Sequence, residues 1–307
     1  MSSTDISSPS PSRPQQAAGL ASPRWLRASL EDGLLREAML VTGAILTYFV
    51  IRNVTAGAPG EAFANGERIV DLEHGLGIAW EDAIQASILG RDGLVTLANW
   101  VYIWGHWPLI LSTAVVLYVW RRDRYYLLRN TLFISGGIGF LFFALVPVAP
   151  PRLLELGLLD TVSSQSNAYR ALQPPGLTNQ YAALPSLHVG WNFAVGIVLF
   201  MTTTHVAVRA LAVLSPLAMT LAVVATANHF VIDVAAGMAV VLVGLAGAHM
   251  IEKRRSESVA TLARDEPATP LEHPRRRTAP VPRGAPRRES SLRSPRRRAP
   301  QADPCRS

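Results

Sequence analysis

The chain has almost no cysteine and almost no lysine. Cys305, in a polar tail, is the one cysteine among 307 residues, so no intrachain disulfide is possible and the redox compartment stays open. Lys253 is the one lysine among 29 basic residues. Charge is scarce along most of the chain: Asp, Glu, Lys and Arg make up 17% against 49% hydrophobic residues, and the apolar residues gather in long runs. A soluble helical protein does not fit, because such runs would leave it no polar surface. A clear signal peptide is also missing. The first 23 residues are polar and rich in Ser and Pro, and the first apolar run, from Leu34, reads as an uncleaved signal anchor.

What is present is six runs, each close to the length of a membrane span: roughly 34–51, 105–120 (with an apolar approach from Leu94), 130–148, 189–204, 210–227 and 230–250. The expected fold is all-α, a six-helix transmembrane bundle over residues 34–252. Residues 1–33 and 253–307 are expected to be disordered cytoplasmic tails. From Lys253 onward there are fifteen Lys/Arg and six Asp/Glu, a net of +9, so the +7 of the whole chain belongs to the tail and the remainder is about −2. Runs such as Pro274-Arg275-Arg276-Arg277 cannot bury a core. The tail reads as a solvated segment that fixes topology; anionic lipid headgroups are a possible contact, and no nucleic-acid partner is expected.

Positive charge sets orientation. Arg121, Arg122, Arg124 and Arg129 crowd the join between the second and third runs, and Lys253, Arg254 and Arg255 follow the sixth. Both places are expected to be cytoplasmic, which puts both termini inside. The third run then ends outside at Pro147-Val148-Ala149-Pro150-Pro151-Arg152, the fourth begins outside after His188, and the sixth begins outside at His229. Three polar motifs thus converge on the extracytoplasmic ends of three helices. Residues 53–104 are also expected outside. Ile69, Val70, Leu72, Leu76, Trp80 and Ile84 suggest an amphipathic helix on the interface, and Trp100, Tyr102, Trp104 and Trp107 an aromatic belt. His106 among them reads as an interfacial histidine. The loop 149–184 is long and rich in Pro, Asn and Gln, and is placed to cover the site.

Ionisable groups at membrane depth are costly and point to function. The 40 residues from Val189 to Asn228 are almost wholly apolar, enough for a helix out and a helix back, so His188 and His229 return to one face. His229 and Asp233 stand four apart and share a helix face. A carboxylate accepting from one imidazole nitrogen fixes the tautomer, leaves the other nitrogen as a lone-pair donor, and stabilises charge developing on the ring. A nucleophilic histidine attacking phosphorus needs this. His188 is the candidate general acid for the departing oxygen. Pro185-Ser186 reads as a helix start with Ser186 as cap, and free N–H groups there attract phosphate oxygens. Arg152 is the candidate guanidinium grip on phosphate, Arg170 a weaker one.

Ala-Pro-Pro-Arg at 149–152, Tyr-Ala-Ala-Leu-Pro-Ser-Leu-His at 181–188 and Asn-His-Phe-Val-Ile-Asp at 228–233 resemble the three phosphatase motifs of the type 2 phosphatidic acid phosphatase superfamily. They look most like its inositolphosphotransferase branch, which includes the inositol phosphorylceramide synthases. The resemblance implies a six-helix membrane bundle, a phosphohistidine formed at His229 with Asp233 in support, His188 as acid–base residue, and no metal or organic cofactor. The chain departs from the broad superfamily pattern where Leu187 replaces glycine, where Ala222 and Val223 replace Ser-Arg, and where Leu145 replaces lysine and Leu153 proline. Two phosphate-binding cations are absent, as in the inositolphosphotransferase branch. Arg152, Arg170, Tyr181, Ser186 and backbone amides are then left to hold phosphate. The expected protein is a multi-pass enzyme of the plasma membrane with its site facing out, acting on a lipid phosphate. A plain phosphatase for phosphatidate or a polyprenyl diphosphate is the alternative enzyme, and a non-catalytic membrane scaffold the alternative outside enzymes.

Overall fold

Each of the six apolar runs lies in a helix, yet they do not make six equal spans. A computed structural model of the protein describes residues 24–55, 59–165 and 179–265. Its helices are α1 (Arg24–Thr55), α2 (Pro59–Leu76), α3 (Glu81–Ile88), α4 (Asp92–Trp104), α5 (Trp107–Trp120), α6 (Arg122–Leu145), a short α7 (Thr161–Gln165), α8 (Leu187–Thr202), α9 (Val206–Ala225) and α10 (Val231–Asp265). Among the described residues there is no strand, only an isolated bridge between Val148 and Ala182. The helix α1 begins ten residues before the first apolar run, inside the stretch expected to be unstructured. The described residues up to Ala260 form one compact unit.

Among the described residues, four helices are long and apolar enough to cross a membrane: the segments Gly33–Asn53, Arg122–Leu145, Val206–Ala225 and Val231–Ser258. A fifth is reached if α4 and α5, which meet at 44°, count as one broken span. The helix α8 has 16 residues, about 24 Å at 1.5 Å per residue, short of the ~30 Å hydrocarbon core. The expected six spans are therefore four or five by length. Leu214, Leu217 and Leu221, at helical spacing on α9, are each more than half exposed, as they would be with lipid as their solvent.

Two sequence expectations change locally. Only Arg121 separates α5 from α6, so Arg122, Arg124 and Arg129 lie on the first turns of α6 rather than in a loop. There Arg129 pairs with Glu37 of α1, which also accepts from the Tyr125 hydroxyl at 2.8 Å. The single amphipathic helix expected around 69–84 is two helices. Gly77, in the left-handed region (φ 71°), ends α2, and the Ile78 N–H returns to the Glu73 carbonyl at 2.9 Å.

Helix α8 is enclosed by α5, α6, α9 and α10. It approaches α10 closely: a Cβ on Gly190 would stand 2.7 Å from the Gly237 carbonyl oxygen, and one on Gly237 would stand 2.2 Å from that of Ser186. Only hydrogen fits at this crossing, and it sits two residues beyond His188 and one turn beyond Asp233. Apolar residues pack in three clusters. One, with Leu117, Leu127, Val195 and Val198, fills the bundle away from the histidines. A second, with Tyr102, Val189, Met219 and Val223, lies beneath them, and a third, with Ala62, Ile69, Val148 and Phe230, closes the end formed by α2.

Candidate active site

The turn between α9 and α10 presents His229. Ala227 takes the left-handed conformation (φ 54°), unusual without a glycine, and the N–H groups of Asn228 and His229 both return to the Val223 carbonyl at 3.0 and 3.1 Å. The Asn228 amide holds Thr226 Oγ1 at 2.9 Å. The Arg152 N–H donates to the Ala227 carbonyl at 2.9 Å, which ties the Ala-Pro-Pro-Arg segment to the same turn. Ser186 caps α8 through Val189 N–H at 3.5 Å, as its position before the helix suggested, and its own N–H donates to the Asp233 carbonyl at 3.0 Å. The starts of α8 and α10 are thereby joined backbone to backbone. The His188 and His229 rings end 5.9 Å apart, centroid to centroid.

The tautomer of His229 is set differently from the expectation. Its Nδ1 lies 2.8 Å from the Ala183 carbonyl oxygen and 3.4 Å from Asp233 Oδ2. The shorter contact to a pure acceptor takes the Nδ1–H. Asp233 Oδ2 instead accepts the Phe230 N–H at 2.9 Å, and its Oδ1 is buried without a partner. Asp233 thus lies beside the ring as a negative charge, while Ala183 holds its proton. In either arrangement Nε2 of His229 carries the lone pair.

Two acids of the stretch expected to lie on the interface are buried here. Glu73, 1% exposed, accepts the Ile232 N–H at 2.7 Å, and Glu81 accepts the Val231 N–H at 2.8 Å. With Asp233 on Phe230, three carboxyl groups satisfy the N–H groups of Phe230, just before α10, and of Val231 and Ile232, its first two residues. Burial, and then a hydrogen bond to Glu81, push the Glu73 carboxyl up to about 8.

Arg152 is mostly buried, with Nε 3.4 Å from Asp160 Oδ2; its Nε and Nη1 make no hydrogen bond. Asp160 also caps α7 through the Ser163 N–H at 2.9 Å. The neighbouring Leu159 and Thr161 are anchored to Gln85 and Asn99, so the loop carrying Asp160 is pinned. Tyr181 is half-buried and lies edge-on to Phe63 at 6.4 Å, with no contact to either histidine. Arg170 lies outside the described residues. The structure therefore brings together His188, His229, Asp233, Ser186 and the Arg152 backbone, and does not bring Tyr181 to them.

Sequence reasoning missed two neighbours of His188. Tyr102, expected in an aromatic belt, is buried and stacks on the His188 ring at 4.7 Å. His106, expected at the interface, is 4% exposed, with its ring 4.4 Å from that of His188. One signal was available: an ionisable residue beside a glycine, interrupting an apolar stretch. Among the described residues, no group of three His, Cys, Asp or Glu side chains has a metal-holding arrangement.

Helices apolar enough to span a bilayer, with paired imidazoles at two adjoining helix starts, define a class of helical membrane protein. The family model described as the PAP2 superfamily matches residues 67–247, more than half of the chain, and the chain belongs to that superfamily. The match fits a membrane phosphatase family and an enzymatic role. No curated protein and no solved structure matches the chain.

Proposed function

We propose that the protein is an integral-membrane lipid phosphatase or phosphotransferase working through a phosphohistidine on His229, and that it resembles the inositolphosphotransferases. The observation that carries this reading is the pairing of His229, its Nδ1 proton held by Ala183 and its Nε2 free to attack, with a second imidazole 5.9 Å away.

In the first step Nε2 of His229 attacks phosphorus, the P–O bond to the lipid leaving group breaks, and His188 gives that oxygen its proton. In the second, the hydroxyl of water or an alcohol attacks phosphorus, its proton passes to His188, and the P–N bond breaks. Asp233 stabilises the positive charge that the His229 ring carries between the steps. Hydrolysis and transfer share the intermediate and differ in the acceptor admitted. The missing superfamily cations at Leu145 and Val223 favour the inositolphosphotransferase branch. The site lies on the extracytoplasmic face of the plasma membrane in this reading, with both termini inside, supported by the arginines at the start of α6 and after residue 252.

The test is product analysis on purified protein given phospholipids, inositol lipids and polyprenyl phosphates, with and without alcohol acceptors. A transferase gives a new phosphodiester; recovery of inorganic phosphate alone, with acceptors present, assigns a plain phosphatase. His229→Ala is expected to abolish turnover and labelling of the protein by substrate phosphate. Wild-type rates in that variant would refute the mechanism.

A further inference from the structure

His106 has no role in the mechanism above, yet its surroundings are those of a site residue. It occupies the break between α4 and α5, and its ring is fixed on several sides. It stacks on Trp191 at 5.8 Å and 12°, meets the edge of Trp107 at 5.2 Å, and lies 4.4 Å from the His188 ring. Asn192, one turn after His188 on α8, joins the two histidines. Its amide nitrogen donates to the His188 carbonyl at 2.9 Å and lies 3.2 Å from His106 Nδ1. That nitrogen has two hydrogens, one for each contact, so His106 Nδ1 is an acceptor and the neutral ring carries its proton on Nε2.

The charge balance gives this arrangement its meaning. The titratable groups facing His106 are His188 on α8 and, beyond it, His229 before α10, with Tyr102 of α4 across the His188 ring. Among the described residues no carboxylate, arginine or lysine is paired with His106. The carboxylate of the cluster, Asp233, lies at the far ring, beside His229. Two imidazoles in contact repel when both are protonated, unless an anion sits against them. A phosphate dianion is such an anion.

We propose that His106 is a third phosphate-binding imidazole of this site, donating from Nε2 to a phosphoryl oxygen, and that it takes up a proton as the anionic substrate enters. The inference rests on the phosphate reading of the site but not on which lipid or acceptor is used. Binding of substrate would then assemble its own counter-charge at the His188–His106 end of the site, away from Asp233.

The test uses the full-length protein in detergent and inorganic phosphate as the probe. Binding is measured by calorimetry near neutral pH in two buffers of different ionisation enthalpy, which counts the protons taken up. His106→Asn keeps an oxygen where Nδ1 accepts from Asn192 but cannot titrate. It is expected to weaken phosphate binding roughly ten- to a hundredfold, the loss of one charge-assisted hydrogen bond, and to lower proton uptake. His106→Gln places an amide N–H where Nε2–H stands. It is expected to regain part of the affinity without the proton uptake, which separates donation from titration and serves if the Asn variant unfolds. Wild type and both variants binding phosphate alike, with equal proton uptake, would make His106 packing only and leave the His229 mechanism intact. Wild type failing to bind phosphate at all would overturn the phosphate reading, and this inference with it.

Discussion

Replacing Gly237 with alanine tests whether the α8–α10 crossing holds the two histidines in register. The new Cβ would lie 2.2 Å from the Ser186 carbonyl oxygen and 3.0 Å from its carbon. Ordinary contact begins near 3.4 Å, so the helices must part by roughly 1.2 Å. Both partners are backbone, so no side chain can swing away. The separation acts on Ser186 N–H to Asp233 carbonyl, now 3.0 Å, and stretches it beyond hydrogen-bonding distance. His188 follows Ser186 by two residues, and His229 precedes Asp233 by one turn, so the 5.9 Å ring separation changes by a similar amount.

A displacement of about 1 Å at reacting groups costs on the order of a hundredfold in rate, or about 2.7 kcal/mol of barrier. The overpacking itself costs about 1–3 kcal/mol of stability. Turnover of a phosphatidate or inositol-lipid substrate by purified Gly237→Ala is therefore expected to fall about a hundredfold while the protein remains folded in a thermal-unfolding assay. Gly137→Ala on α6 is the control, since a Cβ there meets nothing within 4 Å and should leave rate and stability near wild type. Wild-type turnover in Gly237→Ala would show that the ring spacing is not set by this crossing.

Three further outcomes follow from the site. The raised Glu73 carboxyl stabilises the fold fully at pH below its unfolded value near 4.5, and that contribution is lost as pH rises through about 8; thermal stability of wild type should fall between these two pH values, and Glu73→Gln, which still accepts from Ile232, should flatten that fall. Removing the guanidinium in Arg152→Ala should raise KM roughly ten- to a hundredfold, with Lys giving little rescue because a forked grip is lost; steady-state kinetics with unchanged KM would remove Arg152 from phosphate binding. Asp233→Asn should keep roughly a tenth to a hundredth of wild-type turnover, because the Ala183 carbonyl still holds Nδ1; a fall as deep as that of His229→Ala would return control of the tautomer to Asp233.

The elements that announced themselves in sequence are those whose cause is local. Runs of apolar residues became helices, Ser186 after Pro185 became a cap, and an apolar stretch long enough to go out and back returned His188 to His229. The shortness of α8 was harder to see, because Thr203 and His205, where the chain turns, sit inside nearly continuous apolar sequence. Long-range partners left no local mark. Glu73 and Glu81 have the spacing of a solvated helical face, and their burial is explained by N–H groups 159 and 150 residues away. His106 sits among tryptophans that do face outward, and what sets it apart is Asn192, 86 residues on. Ala183 entered the motif only as a letter before Leu-Pro-Ser, since a backbone acceptor has no residue type to betray it.

The two helix starts at the site are not equivalent, and the difference decides where an anion can go. At α10 the N–H groups of Phe230, Val231 and Ile232 are each taken by a side-chain carboxyl oxygen of the protein, so this helix start has no free donor left for a phosphate. At α8 the side chain of Ser186 takes only the Val189 N–H. The N–H groups of Leu187 and His188 have no acceptor within the helix. In the proposed mechanism, substrate phosphate would be directed toward α8, beside His188 and His106, and approached by the His229 Nε2 from the α10 side. An acidic cluster in a site for an anion is then no contradiction. It closes the wrong helix start to phosphate and holds the turn that aims the nucleophile at the right one.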